Sequence, residues 1–129
     1  MKYLPDIKTP ESYIYLASPY SGHPFSQHVR YEYTKYVVFQ MIEEKLAVYS
    51  PIVHFHDLAH SYEMPKDDIF WNLINGAFVQ QCSELWVLML DGWEESLGIK
   101  LERDYADNLG KPTRFVYLND EFQVLVMED

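Results

Sequence analysis

Cysteine is nearly missing from this chain. Cys82 stands alone, so no internal disulfide can form, and a free thiol suits the reducing cytoplasm where the protein is expected. Basic residues are scarce: ten Lys and Arg face twenty Asp and Glu, for a formal net charge of −10. No run of Lys or Arg interrupts that balance. Nucleic-acid polymers are therefore excluded as partners, because neutralising their phosphates needs a basic patch. A small anionic ligand is still admissible, since a helix N-terminus and one or two cations can hold one. Long apolar runs are lacking too. The longest, Leu85 to Leu90, is far too short to span a membrane. The opening MKYLPDIKTPES carries Pro and Asp where a signal peptide needs an apolar core.

Apolar and aromatic residues are plentiful, at 48% and 16%, which excludes general disorder. A chain of 129 residues can bury one real core, so a single domain over residues 1–129 is expected. So small and aromatic a domain exposes apolar surface that must be covered, which predicts a homodimer or higher homo-oligomer.

Along the chain, Tyr13–Ala17 is a β-prone run that stops at Ser-Pro and gives way to a loop, SPYSGHP. From Phe25 to about Glu44 there is no Gly or Pro, and Tyr33, Tyr36, Val37, Gln40 and Met41 recur at helical spacing. Ala47–Tyr49 predicts a short strand ended by Ser50-Pro51. Ile52–Lys66 has no clear period and predicts a long loop, of the kind that often carries function. Asp67 and Asp68 open a helix running to about Gln81. Leu85–Leu90 has the unbroken apolarity of a central parallel strand. Ser96 is a candidate N-cap for the next helix, with Gly110 just past its end. Arg114–Leu118 and Phe122–Met127 complete five strands. The alternation predicts an α/β fold, a Rossmann- or flavodoxin-like three-layer sandwich around a mostly parallel, roughly five-stranded sheet.

Ligands of such sheets bind beyond the carboxyl ends of the strands, where strand order switches. The candidate segments are SPYSG, SPIVHFH and DGWEES. Gly22 and Gly92 would let backbone N–H groups approach a ligand, and Tyr20 follows a strand end directly. Arg30 is a candidate anion clamp or a solvated helix charge. Trp71 and Trp93 are candidates to stack on a planar base. His54, His56 and His60 lie close together beside Asp57, but the Glu of a helix-borne H-E-x-x-H set is missing. No metal and no cofactor are expected there; the histidines are read as polar loop residues with one, His54, lining a pocket.

Within SLGIKLERDYADNLGKP, a helical projection gathers Lys100, Arg103, Asp104 and Asp107 on one side. Gly98, Ile99, Tyr105, Ala106 and Leu109 gather on the other, with Glu102 in the middle of the apolar arc. A carboxyl so placed is partly desolvated and its pKa tends upward. Two readings are open for it: a nucleophile or general acid/base, or a structural acid paired with an Arg or Tyr.

YLASPYSG resembles the first signature of the nucleoside 2-deoxyribosyltransferase superfamily, Tyr-Leu-Ala-Gly-Pro followed by Phe or Tyr. SLGIKLERDYADNLGKP is similar to its second, which carries a nucleophilic glutamate. The GW-x-x-S-x-G form with SPIVHFH looks closest to a small phage- and bacteria-borne branch. The match runs from Tyr13 to about Val116. The resemblance implies that Glu102 is the nucleophile and Tyr20 the loop aromatic that orients it. Ala17, Ser18, Pro19 and Gly22 would form the first loop, and Asp91, Gly92 and Trp93 the loop before the Glu102 helix. Ser96 and Gly98 would turn around the sugar or phosphate. Where the family has an Asp on the preceding helix this chain has Asn75, which cannot exchange a proton. Either an acid such as Asp68 substitutes, Asn75 only hydrogen-bonds, or activity is weakened.

The implied function is hydrolysis or deoxyribosyl transfer at the N-glycosidic bond of a nucleoside or nucleoside monophosphate. Two alternatives remain open: a non-catalytic nucleoside- or nucleotide-binding module, which Asn75 supports, and a metal-dependent hydrolase built on the three histidines.

Overall fold

A computed structural model describes residues 1–20 and 24–127. Its strands are β1 (Lys2–Tyr3), β2 (Ile14–Ala17), β3 (Val48–Tyr49), β4 (Glu84–Leu88), β5 (Thr113–Leu118) and β6 (Val124–Val126). Its helices are α1 (Pro24–Glu43), α2 (Pro51–Ser61), α3 (Asp68–Gln81) and α4 (Leu97–Asn108). The sheet order is β1-β6-β5-β4-β2-β3, with β3, β2, β4 and β5 mutually parallel, β6 antiparallel to β5, and β1 antiparallel to β6. The chain leaves β2 for β3 on one side, then returns past it to β4 on the other. The order therefore switches at β2, and a crevice opens beyond the carboxyl ends of β2 and β4.

Alternation along the buried strands divides the core in two. Ile14, Leu16, Trp86 and Leu88 face α1, packing with Val37, Val38 and Met41. Tyr15, Ala17, Leu85 and Val87 face the other way, toward Val79 of α3 and Ile99 and Ala106 of α4. With both faces covered, β2 and β4 read as unbroken apolar runs. Among the described residues no helix is long and apolar enough to cross a membrane.

Two expectations are corrected. The sheet has six strands rather than about five, because Lys2 and Tyr3 pair with Val126 and Leu125. Both are exposed, so no apolar pattern announces that strand; the open edge of β6 creates it. More consequential is α2, which occupies most of the stretch expected to be a loop. The Ser-Pro that ends β3 also starts the helix: Ser50 Oγ accepts from the Val53 N–H at 3.2 Å, and Pro51 fills the first helical position. Asp67 caps α3 in the same way, accepting from the Phe70 N–H at 2.8 Å. The strand over 85–90 ends early, at Leu88, as the chain turns at Leu90 toward Trp93.

Candidate active site

The crevice holds a cavity of about 460 Å³. All four helices contribute to it; α1 supplies Gln27, and the other three do so at helical spacing. From α2 come Ile52, Phe55, His56, Ala59 and His60; from α3, Asp68, Trp71, Asn72 and Asn75; from α4, Gly98 and Glu102. Ser96 caps α4 by accepting from the Ile99 N–H at 3.2 Å, and also faces the cavity. Gly98 marks a close approach: a Cβ there would stand 3.2 Å from Asp68 Oδ1, which would have to give way slightly. That fit lets α3 and α4 converge and brings Asp68 near Glu102.

Glu102 is buried, one helical turn beyond Gly98, and accepts a hydrogen bond from the Tyr15 hydroxyl. Burial raises its pKa from 4.5 to about 8; the Tyr15 bond opposes the rise and the charge of Asp68 adds to it. Tyr15 is pushed well above the usual phenol value by its own burial and then by Glu102, so it remains a donor. Tyr49 is raised mainly by burial and donates to Asn75 Oδ1 at 3.1 Å. Glu102 is thus tied to a tyrosine, as its structural reading expects, and at the same time faces the cavity.

Of the residues singled out by sequence, Ser18, Tyr20, Asn75, Ser96, Gly98 and Glu102 line the cavity, as does Trp71. Gly22 lies outside the described residues. Others are placed elsewhere. Ala17 packs its side chain into the core beside Val79, and Pro19 is buried without reaching the cavity. His54 packs against Tyr49 and Phe55, with ring centroids 5.6 and 4.5 Å away. Arg30 is not among the residues lining the cavity; its guanidinium donates to the Asp91 carbonyl at 3.1 Å. Gly92, at φ 90°, lies so close to Arg30 that a Cβ would be 2.9 Å from Nη2. Trp93 packs on Phe115, 5.5 Å between ring centroids. The Asp91–Trp93 loop is therefore fastened to α1 and the sheet instead of lining the cavity.

Tyr20 does not orient Glu102. Its hydroxyl meets His56 Nδ1 at 2.5 Å and His60 Nε2 at 3.1 Å. The His56 ring stacks on Tyr31, 4.1 Å between centroids, and burial, followed by His60 and His28, lowers its pKa. Among the described residues no three His, Cys, Asp or Glu side chains converge as a metal-ligand set. Sequence reasoning missed Gln27, Phe55, His56 and His60 as cavity residues, and Tyr15 as the partner of Glu102. For the α2 residues a signal existed: positions 52, 55, 56, 59 and 60 form one helical stripe once Ser50-Pro51 is taken as a helix start.

A family model described as Domain of unknown function (DUF1937) matches residues 12–118, which span the whole parallel sheet and all four helices, and the chain belongs to that family. No curated protein matches the sequence.

Proposed function

We propose that this DUF1937 member breaks the N-glycosidic bond of a nucleoside or nucleoside monophosphate, with Glu102 as the nucleophile. The observation that carries the reading is a buried carboxyl at a cavity wall, held by Tyr15 and poised with a pKa of about 8. The resemblance of YLASPYSG and SLGIKLERDYADNLGKP to the deoxyribosyltransferase signatures supports it. The ionised Glu102 attacks the anomeric carbon through an oxocarbenium-like transition state, forming a glycosyl ester as retaining glycosidases do. The base leaves with the C–N electron pair and takes a proton from water. Water then opens the ester, or a second base displaces it. Asn75, committed through Oδ1 to Tyr49, can only hydrogen-bond to the leaving base. Phe55 and Trp71 supply an apolar wall for a base, their ring centroids 5.1 Å apart.

The test is incubation with nucleosides and nucleoside monophosphates, with and without an acceptor base, followed by chromatography. Free base or an exchanged nucleoside is the expected product. Binding across the panel without turnover would sink the catalytic reading and select the binding module that Asn75 favours. Turnover abolished by a chelator would instead point to the histidine-based metal hydrolase.

The nucleophile must be ionised, so kcat/KM should rise with pH through an apparent pKa of about 8. A bond from Tyr15 stabilises the charged form, so Tyr15→Phe should move that midpoint upward and cut the rate at pH 7 roughly tenfold. Asp68→Asn should move the midpoint down, as a like charge is removed. Tyr20→Phe should leave it in place. A midpoint that follows Tyr20 and ignores Tyr15 would refute the assignment.

The reading extends to a homo-oligomer in the cytoplasm. Ile69 and Leu73, one turn apart on α3, are 68% and 79% exposed, an apolar surface suited to a second copy. Light scattering on the purified chain, with a dimer mass expected, tests this directly.

A further inference from the structure

Two cavity-lining side chains have polar atoms that nothing described satisfies. Ser18 Oγ and Gln27 Oε1 are buried without a hydrogen-bond partner among the described residues, at 8% and 5% residue exposure. Buried oxygens are almost always paired, and an unpaired one is costly, so each such case asks for an explanation. We propose that Ser18 and Gln27 form a hydroxyl-reading subsite for the sugar, and that the substrate is an uncharged nucleoside rather than a nucleoside monophosphate. This rests on the N-glycosidic reading of the same cavity.

The Gln27 oxygen selects the ligand, while the Ser18 hydroxyl can donate or accept. An amide oxygen only accepts, so it must be met by an O–H or N–H donor. A phosphate near neutral pH is chiefly an acceptor, and opposing it to this oxygen leaves both unpaired. Ser18 directly extends β2, three residues beyond the Tyr15 that holds Glu102, which places it within about 10 Å of that anchor. The sugar must occupy that region if Glu102 is to reach the anomeric carbon, while the base lies toward Phe55 and Trp71. Charge around the cavity agrees. Among the described residues the wall carries the carboxyls of Glu63 and Asp68 against one Lys or Arg, Lys66, with Glu63 and Lys66 both exposed. Arg30, the cation expected to hold an anion, is not among the lining residues and donates to the Asp91 carbonyl.

The test compares wild type with Gln27→Leu, which keeps approximate volume and removes the acceptor; Gln27→Met serves if the first variant fails to fold. Binding of deoxyadenosine, adenosine, deoxycytidine and their 5′-monophosphates is measured by calorimetry, alongside the melting temperature of the free protein. Wild type should bind nucleosides at least tenfold more tightly than monophosphates. Gln27→Leu should weaken nucleoside binding by about tenfold or more, yet melt no lower than wild type, since it removes an unpaired buried oxygen. A merely structural glutamine would show the reverse: lower melting and unchanged binding. Monophosphates favoured over nucleosides, or nucleoside affinity untouched in Gln27→Leu, would overturn the inference and leave the glycosidic reading standing. Nucleosides that bind as expected but release no base would overturn the glycosidic reading alone, and binding of no nucleoside would overturn both.

Discussion

Glu102→Gln should fold, retain ligand binding and lose turnover by on the order of a thousandfold or more. The substitution is close to isosteric, and its amide oxygen can still accept from Tyr15, so the cavity keeps its shape. What disappears is the ionisable oxygen that must form the bond to the anomeric carbon. A single-turnover measurement of base release, beside calorimetric binding of the same nucleoside, separates chemistry from affinity. Tyr20→Phe is the informative comparison, because its hydroxyl is engaged with His56 and His60 rather than with Glu102. It should alter the rate far less. Retention of wild-type base release by Glu102→Gln would end the nucleophile assignment outright.

The same carboxyl should also make the fold sensitive to alkali. In the unfolded chain Glu102 releases its proton near 4.5, whereas in the folded chain it holds the proton up to about 8. Between those values the folded state binds more protons than the unfolded one, so stability falls as pH rises through the window. The lost contribution is on the order of 5 kcal/mol, a large share of the roughly 5–15 kcal/mol that holds a typical domain together. Denaturant midpoints measured from pH 5 to 9 should therefore decline for wild type, while Glu102→Gln, with nothing to ionise at that position, should decline much less. His56 works in the opposite sense. Its folded pKa lies below 6.5, so its contribution grows as pH rises toward that value, and the difference between the two proteins removes it from the comparison. Parallel curves for wild type and variant would mean that Glu102 carries no such burden. A buried carboxyl retained at this cost fits a residue kept for chemistry rather than for stability.

The sequence by itself determined what depends on neighbours along the chain. Periods of 2 and 3.6 residues are local, so LWVLML could be assigned to a central strand, and Glu102 could be placed in the apolar arc of α4, without any tertiary information. Ser96 and its helix follow from capping chemistry just as local. Where local rules were misapplied, at Ser50-Pro51, the cost was α2 and with it Phe55, His56 and His60 on the cavity wall.

Only the tertiary structure decided which distant groups meet. Tyr15 and Glu102 are 87 positions apart, and their contact exists because β4 lies beside β2, turning the Tyr15 face of the sheet toward α4. Lys2 and Tyr3 became a strand because β6 had a free edge. Arg30 went to the Asp91 carbonyl, and Ser18 and Gln27 were left with oxygens unpaired among the described residues at one cavity, through the packing of α1 across the sheet. A side chain's own periodicity says whether it faces inward. Its partner is set by the strand order and helix crossings that bring separate faces together.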